Sequence, residues 1–289
     1  MSPHHAHRVH RVPPPLSRRR LLGLAASTAA ALPLTHLATG ATRAHAADQD
    51  GRGVSLTPFD GATEALGEVG ASWYYTWAST TGDTARPEGV EFVPMIWGAD
   101  SVNDADLENA RREGEVLLGF NEPDLAEQAD MTVESALDLW PRLQATELRL
   151  GAPAVAGGGD QEGGWLDRFL SGAADRGYRV DFVPLHWYGA DFGPDAVEHL
   201  RGYLQAVHDR YQLPLWLTEY ALIDFSGGSP RYPGEQEQVD FVRGAGEMLA
   251  QLPFVERHAW FTLSTGTSPT GLHDGQGANA TGEAYREAG

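Results

Sequence analysis

The sequence lacks two residue types on which much enzyme chemistry depends. None of its 289 residues is cysteine or lysine, so all 21 basic residues are arginine. Without cysteine the chain has no disulfides, no thiolate nucleophile and no cysteine-ligated zinc. Without lysine it has no Schiff base and no phosphate-binding loop ending in Gly-Lys-Ser/Thr. His186 stands in no His-x-His or His-Glu-x-x-His spacing, and we predict neither a metal nor a cofactor.

Acidic residues are absent from one part of the chain only. Residues 1–46 contain no aspartate or glutamate, the rest holds all 40, and the formal net charge is −19. An acidic surface repels nucleic acid and anionic membranes, so we expect neither as a partner, and it suits a neutral substrate. Hydrophobic residues make up 42% of the chain, which is enough for one large core. We expect the protein to be a monomer.

Residues 1–46 have the pattern of a twin-arginine export signal. Ser17–Leu22 reads SRRRLL, and an alanine-rich hydrophobic run follows until Pro33 interrupts it. That run is shorter than the roughly 20 residues that a membrane-spanning helix needs. Ala44–Ala47 fits a small-x-small cleavage site. We therefore expect an exported protein with one domain at 47–289 and no membrane attachment after the signal is removed.

The remaining sequence alternates short apolar runs with segments of helical period. Leu166, Phe169 and Ala173, for example, recur at the spacing of one helix face. Alternation of this kind is typical of an α/β fold with a parallel sheet, and eight units predict a single-domain (β/α)8 TIM barrel. The first strand is the weakest, which leaves a seven-stranded open sheet as the alternative. The predicted strands are Gly53–Leu56, Ser72–Trp77, Phe92–Trp97, Val116–Phe120, Leu148–Pro153, Asp181–Tyr188, Leu215–Tyr220 and His258–Leu263.

Two glutamates stand where the active site of such a barrel forms, at the carboxyl ends of its strands. Glu122 lies two residues after the fourth predicted strand, and Glu219 is the next-to-last residue of the seventh. Two facing carboxyl groups are what cleavage of a glycosidic bond requires. Aromatic rings bind the apolar faces of sugars, and polar groups nearby hold the hydroxyls. The predicted substrate-binding residues at these strand ends are Tyr75, Trp77, Trp97, Asn121, His186, Trp187, Tyr188 and Trp260.

Several motifs together resemble glycoside hydrolase family 128, the "glycosyl hydrolase catalytic core" family. The resemblance covers nearly all of the chain after the leader, and the full set of motifs is specific to the family. The sequence differs from the family's motif at Thr76, where the motif Tyr-Tyr-Asn-Trp has asparagine. We expect this difference to affect contacts with the sugar more than the catalytic pair. The matching segments are Ser72–Trp77, Phe92–Gly98, Gly119–Asp124, His186–Tyr188 and Trp216–Tyr220.

The resemblance implies an enzyme that cleaves β-1,3-glucan with retention of configuration. The export signal adds secretion, and endo cleavage is the expected mode, with exo cleavage left open. It implies that Glu122 is the acid/base and Glu219 the nucleophile. Retention requires the two carboxyl groups to stand about 5–5.5 Å apart. Two alternatives stay open at this point. One is a hydrolase of β-1,4-linked glycans on the same barrel, and the other is a glucan-binding protein without catalysis.

Overall fold

The computed structural model describes residues 51–288, so the predicted export signal at 1–46 lies outside the described residues. All eight predicted strands occur, although several are shorter than expected. The first of them, which was the weakest prediction, is present with its bounds moved by one residue. The strands are β1 (Arg52–Ser55), β2 (Trp73–Tyr75), β3 (Glu91–Phe92), β4 (Val116–Leu117), β5 (Arg149–Leu150), β6 (Val183–Gly189), β7 (Leu215–Leu222) and β8 (Val255–Trp260).

Amphipathic helices follow most of the strands and cover the sheet. Trp140 is fully buried on the third helix, and the predicted face of Leu166, Phe169 and Ala173 is buried on the fourth. Within 51–288, no helix combines the length and the apolar character needed to cross a bilayer. The α-helices are α1 (Ala62–Glu68), α2 (Asp104–Glu113), α3 (Val133–Gln144), α4 (Trp165–Asp175), α5 (Ala196–Tyr211), α6 (Glu235–Leu249) and α7 (Ala280–Glu287).

The strands follow one another around a parallel barrel. Six of them form a sheet in the order β3-β2-β1-β8-β7-β6, and β4 pairs with β5. Parallel bridges between Met95 and Leu118 and between Gly151 and Phe182 join the ends of these two sheets. With these bridges every strand has a neighbour on both sides, so the prediction of a (β/α)8 TIM barrel is confirmed and the seven-stranded open sheet is wrong.

Strands β3, β4 and β5 are only two residues long because proline interrupts the hydrogen bonding around them. Pro94 follows β3 and Pro153 follows β5, and neither can donate a backbone hydrogen bond. The chain continues in extended form, since the Leu118 N–H donates to the Pro94 carbonyl at 2.9 Å. The predicted strands therefore lie in the barrel wall as expected, but the part of each segment with regular strand hydrogen bonding is shorter than predicted.

Alternate residues of the strands face two different apolar clusters. Tyr74, Leu117 and Leu217 pack outward among the helices in the larger cluster. The smaller cluster fills the barrel interior, where the rings of Trp216 and Phe182 stack with centroids 4.4 Å apart. This interior packing forms the floor beneath the carboxyl ends of the strands. Its buried residues are Trp73, Tyr75, Val93, Met95, Val116, Leu118, Phe182, Trp216 and Ala259.

Candidate active site

A β-bulge in β7 turns Glu219 into the barrel. Trp216 faces the interior and Leu217 faces the helices, so regular alternation would point residue 219 outward. The pairing of β7 with β6 skips Thr218, because Leu217 pairs with Leu185 and Glu219 pairs with His186. One extra residue in a strand reverses the direction of every side chain after it. The bulge therefore brings Glu219 inside and leaves Tyr220 among the helices.

Three donors, from β2, the turn after it and β6, hold the Glu219 carboxylate. The Tyr75 hydroxyl and the Trp77 indole Nε1–H donate to Oε1 at 3.0 and 2.9 Å. The Tyr188 hydroxyl donates to Oε2. Burial, together with the charge of Glu219, raises the pKa of Tyr75 well above its usual value, so that hydroxyl stays protonated and remains a donor. Three hydrogen bonds from buried or half-buried side chains therefore fix the position of this carboxylate.

Glu122 reaches the interior from an irregular segment that follows β4. Its backbone has φ = 43°, in the left-handed region that non-glycine residues rarely adopt. The Glu122 N–H donates to the Ala154 carbonyl at 2.7 Å, which fixes this turn against the neighbouring wall. Gly119 allows the close approach, because a Cβ there would lie 2.8 Å from the Gly151 carbonyl oxygen. Backbone strain of this kind is typical of functional sites.

His186 lies between the two glutamates and contacts both. Its Nδ1 is 2.9 Å from Glu122 Oε1, and its Nε2 is 3.5 Å from Glu219 Oε1. All three side chains are buried, with exposed fractions of 1–3%. One ligating atom from each lies within 4.8 Å of the others, a spacing that a cation could also bridge.

Asn121 and two tryptophans stand at the mouth of this cluster. Asn121 is buried, and its amide donates to Gln128 Oε1 at 3.3 Å, while its own Oδ1 has no hydrogen-bond partner among the described residues. The Asn121 N–H donates to the Trp97 carbonyl at 2.9 Å, so Trp97 lies at the same strand end. Trp97 and Trp77 are both half-buried, which leaves ring surface free for a ligand. Their sugar contacts remain predictions.

Two predicted aromatic platforms face away from the glutamates. Trp260 has no exposed surface and packs against Phe241 of α6 and Tyr285 of α7, so its prediction as a sugar platform is wrong. Trp187 also stacks on Phe241, with centroids 5.6 Å apart. The reason is strand alternation, which puts both tryptophans on the helix side of the sheet. Tyr75 is fully buried as well, and it contacts Glu219 instead of the open cleft.

Phe261 is a site residue that the sequence prediction missed. It follows Trp260 and therefore points to the opposite side of the barrel wall. Its ring packs edge-on against Trp77 and Tyr188, with centroids 6.1 and 5.4 Å apart. Both of those residues donate to Glu219. The alternation of β8 was the signal that could have identified Phe261 in place of Trp260.

Two buried glutamates of a (β/α)8 barrel, one in the segment after β4 and one within β7, are joined by a histidine and define a glycoside hydrolase. The sequence profile of the glycosyl hydrolase catalytic core family matches residues 59–285. The chain belongs to this family, glycoside hydrolase family 128.

Solved structures of family 128 enzymes are similar over most of the chain. An endo-β-1,3-glucanase of subgroup I from Amycolatopsis mediterranei, in complex with laminaritriose, is 63% identical with a TM-score of 0.81. The match covers 82% of this chain and 99% of that enzyme. Variants of that enzyme with one glutamate replaced were crystallised with longer laminarioligosaccharides, among them laminarihexaose.

More distant relatives also match most of this chain. An endo-β-1,3-glucanase of subgroup II from Sorangium cellulosum is 30% identical with a TM-score of 0.69, over 83% of this chain and 99% of that enzyme. The alkali-sensitive linkage protein 1 of Schizosaccharomyces pombe is 30% identical over 230 residues, which is 75% of this chain. The match spans 40% of that protein's length.

Proposed function

We propose that this enzyme cleaves β-1,3-glucan at internal bonds with retention of configuration, using Glu219 as nucleophile and Glu122 as acid/base. The observation that carries the proposal is the short separation of the two carboxyl groups, which have oxygens within 4.8 Å of each other. Retaining enzymes place these groups about 5–5.5 Å apart, whereas inverting enzymes leave about 6.5–9.5 Å for a water molecule. The space between Glu122 and Glu219 suits direct attack.

In the first step a Glu219 oxygen forms a bond to the anomeric carbon. The bond from that carbon to the glycosidic oxygen breaks, and Glu122 gives its proton to the departing oxygen. The donors on Glu219 fix the orientation of its carboxylate, as attack requires. Glu122 is buried and lies beside a second carboxylate, and both conditions favour its protonated form.

In the second step a water molecule replaces the departed sugar. Glu122, now ionised, takes a proton from this water, whose oxygen attacks the anomeric carbon and releases Glu219 as a carboxylate. Bonding of Glu219 to the sugar has removed its negative charge, so the ionised form of Glu122 becomes easier to reach. His186 touches both carboxyl groups and is placed to keep them aligned through both steps.

The relatives support the substrate and the identity of the pair. The subgroup I enzyme from A. mediterranei was crystallised as variants of two different glutamates, and the interval between those two equals the interval between Glu122 and Glu219. The subgroup I and subgroup II relatives are both endo-β-1,3-glucanases. At 63% identity to the first, internal cleavage of β-1,3-glucan is the activity that we propose for this chain.

The experiment that tests this function follows the hydrolysis of laminarihexaose by NMR and mass spectrometry. We expect the first products to have the β configuration and to be shorter oligosaccharides rather than glucose alone. Initial α products would contradict retention. Cleavage of xylan, mannan or cellulose oligomers with laminarihexaose left intact would contradict the linkage, and binding to glucan without any cleavage would contradict catalysis.

We also propose that the enzyme is exported by the twin-arginine route as a folded monomer. The pattern at Arg18 and Arg19 and the absence of cysteine support this, since a folded exported chain needs no disulfides. Replacing Arg18, Arg19 and Arg20 by lysine should leave the enzyme inside the cell, with its activity intact in lysates. Unchanged export of that variant would contradict the route, and the mass of the exported protein by light scattering tests the monomer.

A further inference from the structure

The residues that follow β2 form a tight turn around Trp77. Trp77 has φ = 55°, so like Glu122 it adopts the left-handed backbone that side chains disfavour. A residue keeps such a conformation only where its surroundings enforce it. The conformation matters for the reaction, because it presents the indole Nε1–H to Glu219 Oε1 at 2.9 Å.

Two hydrogen bonds hold the turn in this conformation, one within the turn and one to the barrel wall. The Thr76 hydroxyl donates to the Thr80 carbonyl at 2.7 Å. This hydrogen bond links the residue before Trp77 to a residue after it and so closes the turn. The Met95 N–H donates to the Ala78 carbonyl at 2.9 Å and anchors the turn on the barrel wall. Only the first of these comes from a side chain. Thr76 thus uses its hydroxyl inside the turn, although the sequence suggested a role in sugar contacts.

We propose that Thr76 is a positioning residue for the nucleophile, acting through Trp77 on Glu219. The hydroxyl of Thr76 bonds to Thr80 and reaches neither glutamate, so it acts by holding the indole. Without it the turn can relax toward a right-handed backbone, and the indole N–H then leaves Glu219 in a fraction of the molecules. The inference rests on the proposed role of Glu219, and it adds a residue that determines how that carboxylate is held.

The test compares Thr76→Val, which has the same shape but no hydroxyl, with Thr76→Ser, which keeps the hydroxyl. On laminarihexaose we expect Thr76→Val to lower kcat about fivefold, as loss of one neutral hydrogen bond allows, with KM within about twofold. Thr76→Ser should keep the kcat of the wild-type enzyme. Thr81→Val is the matched control, because it removes a hydroxyl from the same loop that does not close the turn. That variant should match the wild type.

A double-mutant cycle with Trp77→Phe separates positioning from a general effect on folding. Phenylalanine removes the indole N–H, so in that background Thr76→Val should cause no further loss of kcat. The proposal is wrong if Thr76→Val keeps the full kcat of the wild type. It is also wrong if Thr76→Val lowers kcat by the same factor in the wild-type and Trp77→Phe backgrounds. Thr76→Ala is measured in parallel, and the same criteria apply to it if valine prevents folding, as judged by thermal unfolding.

The wild-type assay keeps this test separate from the proposed function. If the wild-type enzyme leaves laminarihexaose intact but cleaves a β-1,4-linked oligomer, the proposed linkage is wrong. The same variants are then compared on that oligomer, with the same expected ratios. If Glu219→Ala retains activity, the proposed nucleophile is wrong, and the inference about Thr76 falls with it.

Discussion

The two glutamates that we propose as catalytic are held in very different ways. Glu219 belongs to β7, a fully buried strand of eight residues, and receives hydrogen bonds from three side chains of β2, the turn after it, and β6. Glu122 follows a strand of only two residues, has a left-handed backbone, and contacts His186. A nucleophile needs a fixed, ionised oxygen, whereas an acid/base must lose and regain a proton. The structure provides a rigid carboxylate for the first task and a buried carboxyl group beside an imidazole ring for the second.

The largest expected effect comes from removing the proton of the acid/base. Glu122→Gln keeps the size of the side chain and an oxygen that can face His186, but it cannot donate a carboxylic proton. We expect kcat on laminarihexaose to fall about 10²–10⁴-fold, the usual contribution of general acid–base catalysis.

An aryl glycoside with a nitrophenol leaving group provides the control for Glu122→Gln. Such a leaving group needs no proton, so formation of the glycosyl-enzyme should be far less affected, and a burst of nitrophenol should precede slow turnover. Equal losses on both substrates without a burst would mean that Glu122 does not act on the departing oxygen.

A smaller effect is expected from one donor of Glu219. Tyr188→Phe keeps the ring that packs on Phe261 and removes the hydroxyl that donates to Oε2. Hydrogen bonds to charged groups contribute about 1.5–3 kcal/mol, so kcat should fall roughly 10–100-fold.

Tyr220→Phe is the matched control, because that hydroxyl lies on the same strand as Glu219 but contacts His258 on the helix side. Its kcat should stay within about twofold of the wild type. Both kcat values are measured by steady-state kinetics. Equal losses of kcat in the two variants would show that the tyrosine hydroxyls stabilise the barrel wall and do not act on Glu219.

The smallest expected effect concerns the free energy of unfolding and comes from His258, on the helix side of the barrel wall. Burial, aided by the charge of Arg52, lowers the pKa of His258 to about 3. The unfolded chain then takes up this proton near pH 6.5 and the folded one does not. The free energy of unfolding should therefore fall as the pH drops from about 6.5 toward 3, by about 1–2 kcal/mol at pH 5 from this group.

His258→Gln cannot titrate and keeps a group that can bond to the Tyr220 hydroxyl. Urea unfolding at pH 7 and pH 5 should show a weaker pH dependence in this variant, while its kcat at pH 7 stays near the wild type. An identical pH dependence of stability in both proteins would rule out His258 as a source of acid sensitivity.

The sequence predicted the barrel, the strand order and the two glutamates because these depend on short apolar runs and on the residues directly after each run. The alternation of β8 puts Trp260 and Phe261 on opposite sides of the wall, but the prediction placed the inward side on the wrong one of the two. The bulge at Thr218 and the left-handed backbone of Glu122 leave no pattern in the sequence, because both arise from contacts between neighbouring strands. The bounds of β3 and β5 were wrong for a local reason, the prolines that interrupt their pairing.

The most direct test of the account is the configuration of the products formed with azide by two alanine variants, on an aryl β-1,3-oligoglucoside with a good leaving group. Azide should rescue Glu219→Ala by direct attack and give the inverted α-glycosyl azide. It should rescue Glu122→Ala by attack on the glycosyl-enzyme and give the β-glycosyl azide. The reverse assignment, or no rescue of a folded Glu219→Ala variant, would contradict the division of roles between the two glutamates.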